Sequence, residues 1–169
     1  MGASSWTSQV PYQSDIGAAL QVARWNAYRS GDYYRPSPNT QAHAMSEDDY
    51  VDWFESTYET EAYNEVREEW RAAQIEPVDP DSLLASQPFS GTHSVIDMTH
   101  VASQPESQAV APRSDDDLVE IFGTPTPTTE QVQDALDILD LHGRWHGTYV
   151  IGYQNGQPHT VYFVGHSGD

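Results

Sequence analysis

The chain has 169 residues, of which 26 are Asp or Glu and seven are Arg, with no Lys and no Cys. Its net charge of −19 opposes direct binding to nucleic acid or an anionic membrane and favours cationic partners. Without Cys there is no disulfide scaffold, thiolate ligand set or Cys nucleophile.

Residues 1–14 are polar and read as loose, apart from Trp6, Val10 and Tyr12, which are candidates to dock. Asp15 is placed to cap a helix over 15–30, in which Ile16, Ala19, Leu20, Ala23 and Ala27 recur at helical spacing before Gly31. A Pro-, Asn- and Thr-containing loop runs on to Ala44. Ser46, followed by Glu47, Asp48 and Asp49, opens an acidic helix predicted over 46–74 with a break near Thr57–Thr60. Pro77 and Pro80 end it, and Ser82–Ser86 fits one short helical turn.

From Gly91 to Val101 the period changes. Ile96 and Met98 alternate with Asp97 and Thr99, which predicts a strand over 94–101 with one buried face. Residues 102–113 read as a Ser, Gln and Pro loop. Ser114 caps a helix over 115–122 that Gly123 stops. A last helix over 129–142 carries Val132, Ala135, Leu136 and Leu139 and closes at Gly143. The clearest local signal is the hairpin of 148–153 and 160–164 around Asn155-Gly156, whose two residues supply the positive φ angles of a type I′ turn. The expected fold is α+β: a small antiparallel sheet (94–101, 147–153, 159–165) with helices on one face. A single domain is expected, with 46–76 as an acidic helical arm. With no leader-like N-terminus and no apolar run of membrane-spanning length, a soluble cytoplasmic protein is the default.

Thirteen of the 26 acidic residues lie between Glu47 and Asp81, where Arg67 and Arg71 are the only counter-charges. Aromatic and apolar residues are threaded through this segment at helical spacings. On a straight helix Tyr50, Trp53 and Phe54 share one side, and Tyr63, Val66 and Trp70 form a second stripe out of register with it. Either a break realigns the stripes or one meets a partner. The expected partner-binding residues are therefore Trp53, Phe54, Tyr63, Val66 and Trp70 with Glu47, Asp48 and Asp49. Trp70, ringed by Arg67, Glu68, Glu69 and Arg71, is the first candidate anchor. The exclusive use of Arg fits genomic base composition, a salt-rich cytoplasm or selection by a partner, and composition does not separate these.

Catalytic patterns are weak. His93, Ser94 and Asp97 bring a base, a hydroxyl and a carboxylate within five residues, but on a strand Ser94 faces away from the other two unless the segment starts in a turn. The favoured reading is a hydrogen-bonded entry to the strand. His142 and His146 have zinc-like spacing, yet Gly143 interrupts any helix through both. Asp48, Asp49, Asp52 and Glu55 lack the ligand pattern of a calcium loop and read as a solvated helix face. The terminal Gly165-His-Ser-Gly-Asp169 brings His166 and Asp169 to a sheet edge. His93, Asp97, His166 and Asp169 are thus a possible polar site. No catalytic residue, metal ligand or cofactor is assigned.

Four segments carry a resemblance: 23–34 (Ala-Arg-Trp-Asn-Ala-Tyr-Arg-Ser-Gly-Asp-Tyr-Tyr), Gly91-Thr-His-Ser-Val-Ile-Asp97, Phe122-Gly-Thr-Pro-Thr-Pro-Thr128 and Tyr162-Phe-Val-Gly-His-Ser-Gly-Asp169. In these, about a fifth of its length, the chain resembles small acidic, mostly actinobacterial proteins of no established activity. The resemblance implies a cytoplasmic single domain, adds no catalytic residue and marks 46–76 as the part specific to this chain. Three functional readings follow. The first is a non-enzymatic interaction module, of accessory, immunity or assembly type, whose acidic helix meets a basic or Arg-rich protein. The second is a mimic of DNA that occupies the cationic groove of a nucleic-acid-binding protein. The third is a small hydrolase or metal-dependent enzyme using histidines at the sheet end.

Overall fold

The computed structural model describes residues 4–58, 62–139 and 143–168. The chain is α+β and divides into two compact units: a sheet unit (Met1–Tyr34 with Ser90–Asp169) and a helical unit (Arg35–Phe89). Among the described residues no helix is long and apolar enough to cross a membrane.

The sheet unit is built on strands β1 (Ser5–Pro11), β2 (His100–Val101), β3 (Ala109–Pro112), β4 (His146–Gln154) and β5 (Gln157–His166), in the order β1-β5-β4-β3-β2. β1–β5 and β5–β4 are antiparallel, whereas β4–β3 and β3–β2 are parallel. The sheet is therefore mixed, correcting the expected antiparallel one. Asn155 and Gly156 turn the β4–β5 hairpin with φ of +52° and +74°, as a type I′ turn requires. The polar N-terminus, expected to be loose, supplies the whole of β1. Trp6 and Val10 point inward and are buried, while Ser5, Thr7 and Gln9 are exposed. The expected loop at 102–113 contains β3.

Helix α1 (Ile16–Ser30) starts on the Asp15 side chain, which accepts from Ala18 N, and ends on left-handed Gly31. It packs against β1, β2, β5 and a single 3-10 turn at Val95–Asp97. That turn replaces most of the strand expected over 94–101. Ile96 and Met98 are buried as predicted, but so are Val95 and Asp97, so the apparent alternation was not that of a half-buried strand.

Helices are present on both faces of the sheet, not one. Leu118 of the helix at Asp115–Phe122, Val132 of the helix at Thr129–Asp134 and Leu139 of the helix at Leu136–Leu139 share a core with Val150, Tyr162 and Val164. The expected 129–142 helix is thus interrupted at Ala135, whose φ of −117° leaves the helical region; residues 140–142, His142 included, lie outside the described residues.

Two tryptophans stand in for side chains that glycines lack. Gly147 and Gly165 pair across β4 and β5, and the Trp6 ring fills the space above them; a Cβ on Gly165 would sit 2.4 Å from that ring and 2.6 Å from the His146 carbonyl oxygen. Trp145 covers Gly168 and Gly91 in the same manner.

The helical unit contains α2 (Thr40–Ala44), α3 (Glu47–Tyr58), α4 (Tyr63–Ala73) and α5 (Pro80–Ala85). The expected 46–74 helix is two helices, and Thr60 lies outside the described residues. The two apolar stripes come together once the chain is divided here. Ala42, Tyr50, Val51 and Val66 form the core, with Met45, Trp53, Phe54, Trp70 and Ala73 packed around them.

Candidate functional site

In the helical unit, charge and aromatic surface separate along the α3–α4 pair. Ser46 opens α3 by accepting from Asp49 N at 3.3 Å and donating to Asp49 Oδ2 at 2.6 Å. Glu47, Asp48 and Asp49 fill the first turn, where the helix dipole favours negative charge. Arg67 of α4 reaches Glu47 and Asp48, each at 2.9 Å, and Arg71 reaches Glu47 at 2.7 Å. Hydrogen bonds from Arg71 and then Arg67 hold the Glu47 carboxyl below its ordinary pKa. At the other end, Tyr63 donates to Glu55 Oε1 at 2.7 Å, so the helices run antiparallel.

Both arginines of the pair therefore sit at the end where α3 begins. The opposite end carries Asp52, Glu55 and Glu65 with no basic residue among the described residues. It also carries the aromatic ladder. Buried Tyr50 lies 5.6 Å from Trp53, Trp53 meets Tyr58 edge-on at 6.1 Å, and Phe54 lies 4.6 Å from Tyr58. Trp53 and Phe54 are half-buried, and Tyr58 and Tyr63 are 59% and 44% exposed.

The expected partner-binding residues thus divide. Trp53, Phe54 and Tyr63 reach this open end. Val66 is buried in the unit's core, and Glu47 and Asp48 are engaged by arginine. Trp70 is half-buried against the same core and donates its indole N–H to the Met45 carbonyl at 3.1 Å. Trp70→Ala is accordingly expected to lower the helical unit's stability by about 2–3 kcal/mol, measurable by chemical denaturation. Tyr58, not chosen from the sequence as a partner residue, is the most exposed large hydrophobic of α3.

In the sheet unit, the segment from Gly91 to Asp97 does begin in a turn. Gly91 and His93 take φ of +71° and +52°. Asp97 is fully buried, and its Oδ1 accepts from Thr92 N at 2.6 Å and Thr92 Oγ1 at 2.7 Å. Thr92 Oγ1 shares a hydrogen bond with Ser94 Oγ at 2.8 Å, and Ser94 Oγ accepts from Ile96 N at 3.2 Å. Buried Arg24 of α1 ties the turn down by donating from Nε to the Ile96 carbonyl at 3.2 Å. Gly91 is required here, because a Cβ would stand 2.6 Å from Asp97 Oδ2.

The carboxylate, then, organises a turn. Ser94, which is buried, caps the 3-10 turn instead of presenting a free nucleophile, and His93 stacks on Tyr34 with ring centroids 4.4 Å apart. His166 ends β5 and Asp169 lies outside the described residues. His100 pairs with Glu106, His146 Nδ1 bonds the Arg144 carbonyl and His159 Nδ1 bonds Thr160. Among the described residues no three His, Asp or Glu side chains are grouped to hold a metal ion.

Burial raises the Asp97 carboxyl above its ordinary pKa of 3.8. The Ser167 hydroxyl, beside it but outside hydrogen-bond geometry, the Thr92 donors and His93 oppose that rise without cancelling it. Between the ordinary and the raised value the native state holds a proton that the unfolded chain has released. Sheet-unit stability is therefore expected to fall as pH rises through the native value of Asp97. Asp97→Asn, which keeps an acceptor for Thr92, should flatten that slope in urea denaturation across a pH series; an unchanged slope would assign it to other groups.

Comparison with protein-family models, with curated proteins and with solved structures finds no match for this chain.

Proposed function

We propose that this protein is a non-enzymatic interaction module, a cytoplasmic accessory or assembly component, whose helical unit binds a basic, Arg-rich protein surface. The observation that carries this reading is the separation within α3 and α4. Arg67 and Arg71 pair with Glu47 and Asp48 at one end, and the other presents Trp53, Phe54, Tyr58 and Tyr63 among carboxylates that pair with no arginine among the described residues. Guanidinium groups are suited to both features, stacking on aromatic faces and pairing with carboxylates in a bidentate fork. The half-buried Trp53 and Phe54 supply a rigid base, so the exposed Tyr58 ring is held in place with little conformational entropy left to lose on binding.

The partner is expected to be captured from native-host extract by the full-length protein at low salt and released as salt rises. A Trp53→Ala/Tyr58→Ala double variant should retain less than about a tenth of that capture, because hot-spot aromatics each contribute roughly 2 kcal/mol or more. Circular dichroism checks that the variant still folds. Equal capture by a folded double variant, or capture indifferent to salt, would refute the reading.

A further inference from the structure

The strongest unassigned feature lies in the sheet unit, at the outer edge of β1. In an antiparallel pair, residues alternate between those that exchange backbone hydrogen bonds with the partner strand and those that direct theirs away. Tyr12 N donates to the His159 carbonyl at 2.8 Å and Ser167 N to the Ser4 carbonyl at 3.0 Å. Those bonded pairs fix the parity. Trp6, Ser8 and Val10 turn their backbone groups toward β5, and Ser5, Thr7 and Gln9 turn theirs outward. All three outward residues are exposed, and β1 is an edge strand.

Edge strands are ordinarily blunted by charge, proline, a bulge or brevity. β2, the other edge, is two residues long. β1 has none of these devices before Pro11: it is seven residues long, carries no charge, and pairs with β5 without a register shift. A cleft of about 270 Å³ runs beside it, lined by Ser5–Ser8, Ala27, Asp32 and the 93–95 turn. Asp32 lines this cleft and is exposed, and among the described residues no side chain pairs with its carboxylate.

We propose that the outer edge of β1 accepts an extended peptide segment as an added strand, with a Lys or Arg of that segment projecting into the cleft against Asp32. Ser5, Thr7 and Gln9 supply the backbone donors and acceptors. Residues of the added strand that share the Trp6 face enter the cleft, and the alternate ones face solvent. A second copy of the chain is disfavoured as occupant, because two molecules of net charge −19 repel and neither brings a cation to Asp32 on a β1 free of charge. This surface belongs to the sheet unit, and the proposal does not depend on the reading of the helical unit.

The test uses the full-length protein and the end-capped heptapeptide Thr-Val-Thr-Arg-Thr-Val-Thr, with a version carrying Glu in place of Arg as comparison. Amide exchange at Ser5, Thr7 and Gln9 is expected to slow by about tenfold or more under saturating Arg peptide, while Trp6, Ser8 and Val10 start protected. The Arg peptide should bind about fivefold or more tighter than the Glu peptide, and Asp32→Asn should remove most of that preference. Thr7→Pro deletes only an outward N–H, a position an edge strand tolerates, and should abolish binding. Should Thr7→Pro fail to fold, exchange in the unaltered chain still decides. Unchanged exchange at the three outward amides overturns the proposal. So does protection that appears without peptide and grows with protein concentration, which would give the edge to a second copy.

Discussion

Gly165→Ala is expected to destabilise the sheet unit by about 3 kcal/mol or more, with a fall in melting temperature of roughly 10 °C. The added methyl would meet the Trp6 ring at 2.4 Å and the His146 backbone oxygen at 2.6 Å. The ring is buried over the Gly147–Gly165 pair, and the carbonyl belongs to β4. Neither has a flexible end that can move aside, so relief requires either β1 to lift or the β4–β5 ladder to open. Trp6→Phe in the same background is the informative companion. A smaller ring makes room for the methyl, so part of the lost stability should return in thermal denaturation. A Gly165→Ala protein as stable as the parent would show that the Trp6 ring is not packed on the glycine pair.

Tyr50→Ala has the second large effect, and it is local. Tyr50 is 1% exposed at the centre of the helical unit; its hydroxyl accepts from Asn39 at 2.9 Å and donates to Glu69 at 3.1 Å. Truncation removes the largest fully buried side chain of a small core and leaves the half-buried Asn39 and Glu69 without their partner, a loss of about 3–5 kcal/mol. A helical unit of 55 residues has little more stability than that to lose. The expected result is loss of amide protection throughout α3 and α4, with the β4–β5 amides still protected. Tyr50→Phe, which keeps the ring, should cost only about 1 kcal/mol. Equal loss of protection in both units would show that they unfold together.

The elements that could be read from the sequence were those whose signals are local. Asp15 and Gly31 bound α1, Ser114 and Gly123 bound the 115–122 helix, and Asn155-Gly156 sets its own turn, so each declares itself within a few residues. β1 and β3 did not. Trp6, Ser8 and Val10 alternate correctly, but β1 is held by pairing with residues 160–166, far along the chain. Ala109–Pro112 is four residues long and becomes a strand only through parallel partners on either side. The 94–101 error has a different cause. Ile96 and Met98 suggested a period of two, while the decisive features were Ser94 capping a 3-10 turn and Asp97 bonding back to Thr92.

The candidate site was partly legible for the same reason. Helical spacing singled out Trp53 and Phe54, while realignment of the stripes across a break was one of two outcomes the spacing allowed, the other being an interface at one stripe. Which stripe stays exposed depended on where Met45 and Ala42 pack, and that placed Trp70 against the core and left Tyr58 outside. Ser167, which lies beside Asp97 from outside its own turn, is far along the chain, so no local pattern ties the two together.

The most direct test of the central claim maps binding of an end-capped deca-arginine peptide on the isotope-labelled full-length protein. Chemical shift changes are expected to concentrate on residues 52–58, Tyr63 and the Trp53 indole, with affinity falling by about tenfold or more between 50 and 200 mM salt. Trp53→Ala/Tyr58→Ala should weaken binding far more than Glu47→Gln, whose carboxylate already serves Arg67 and Arg71. Shifts spread evenly over every acidic segment, or equal losses from the two variants, would mean that bulk charge alone attracts the peptide, and would contradict a built aromatic–acidic site.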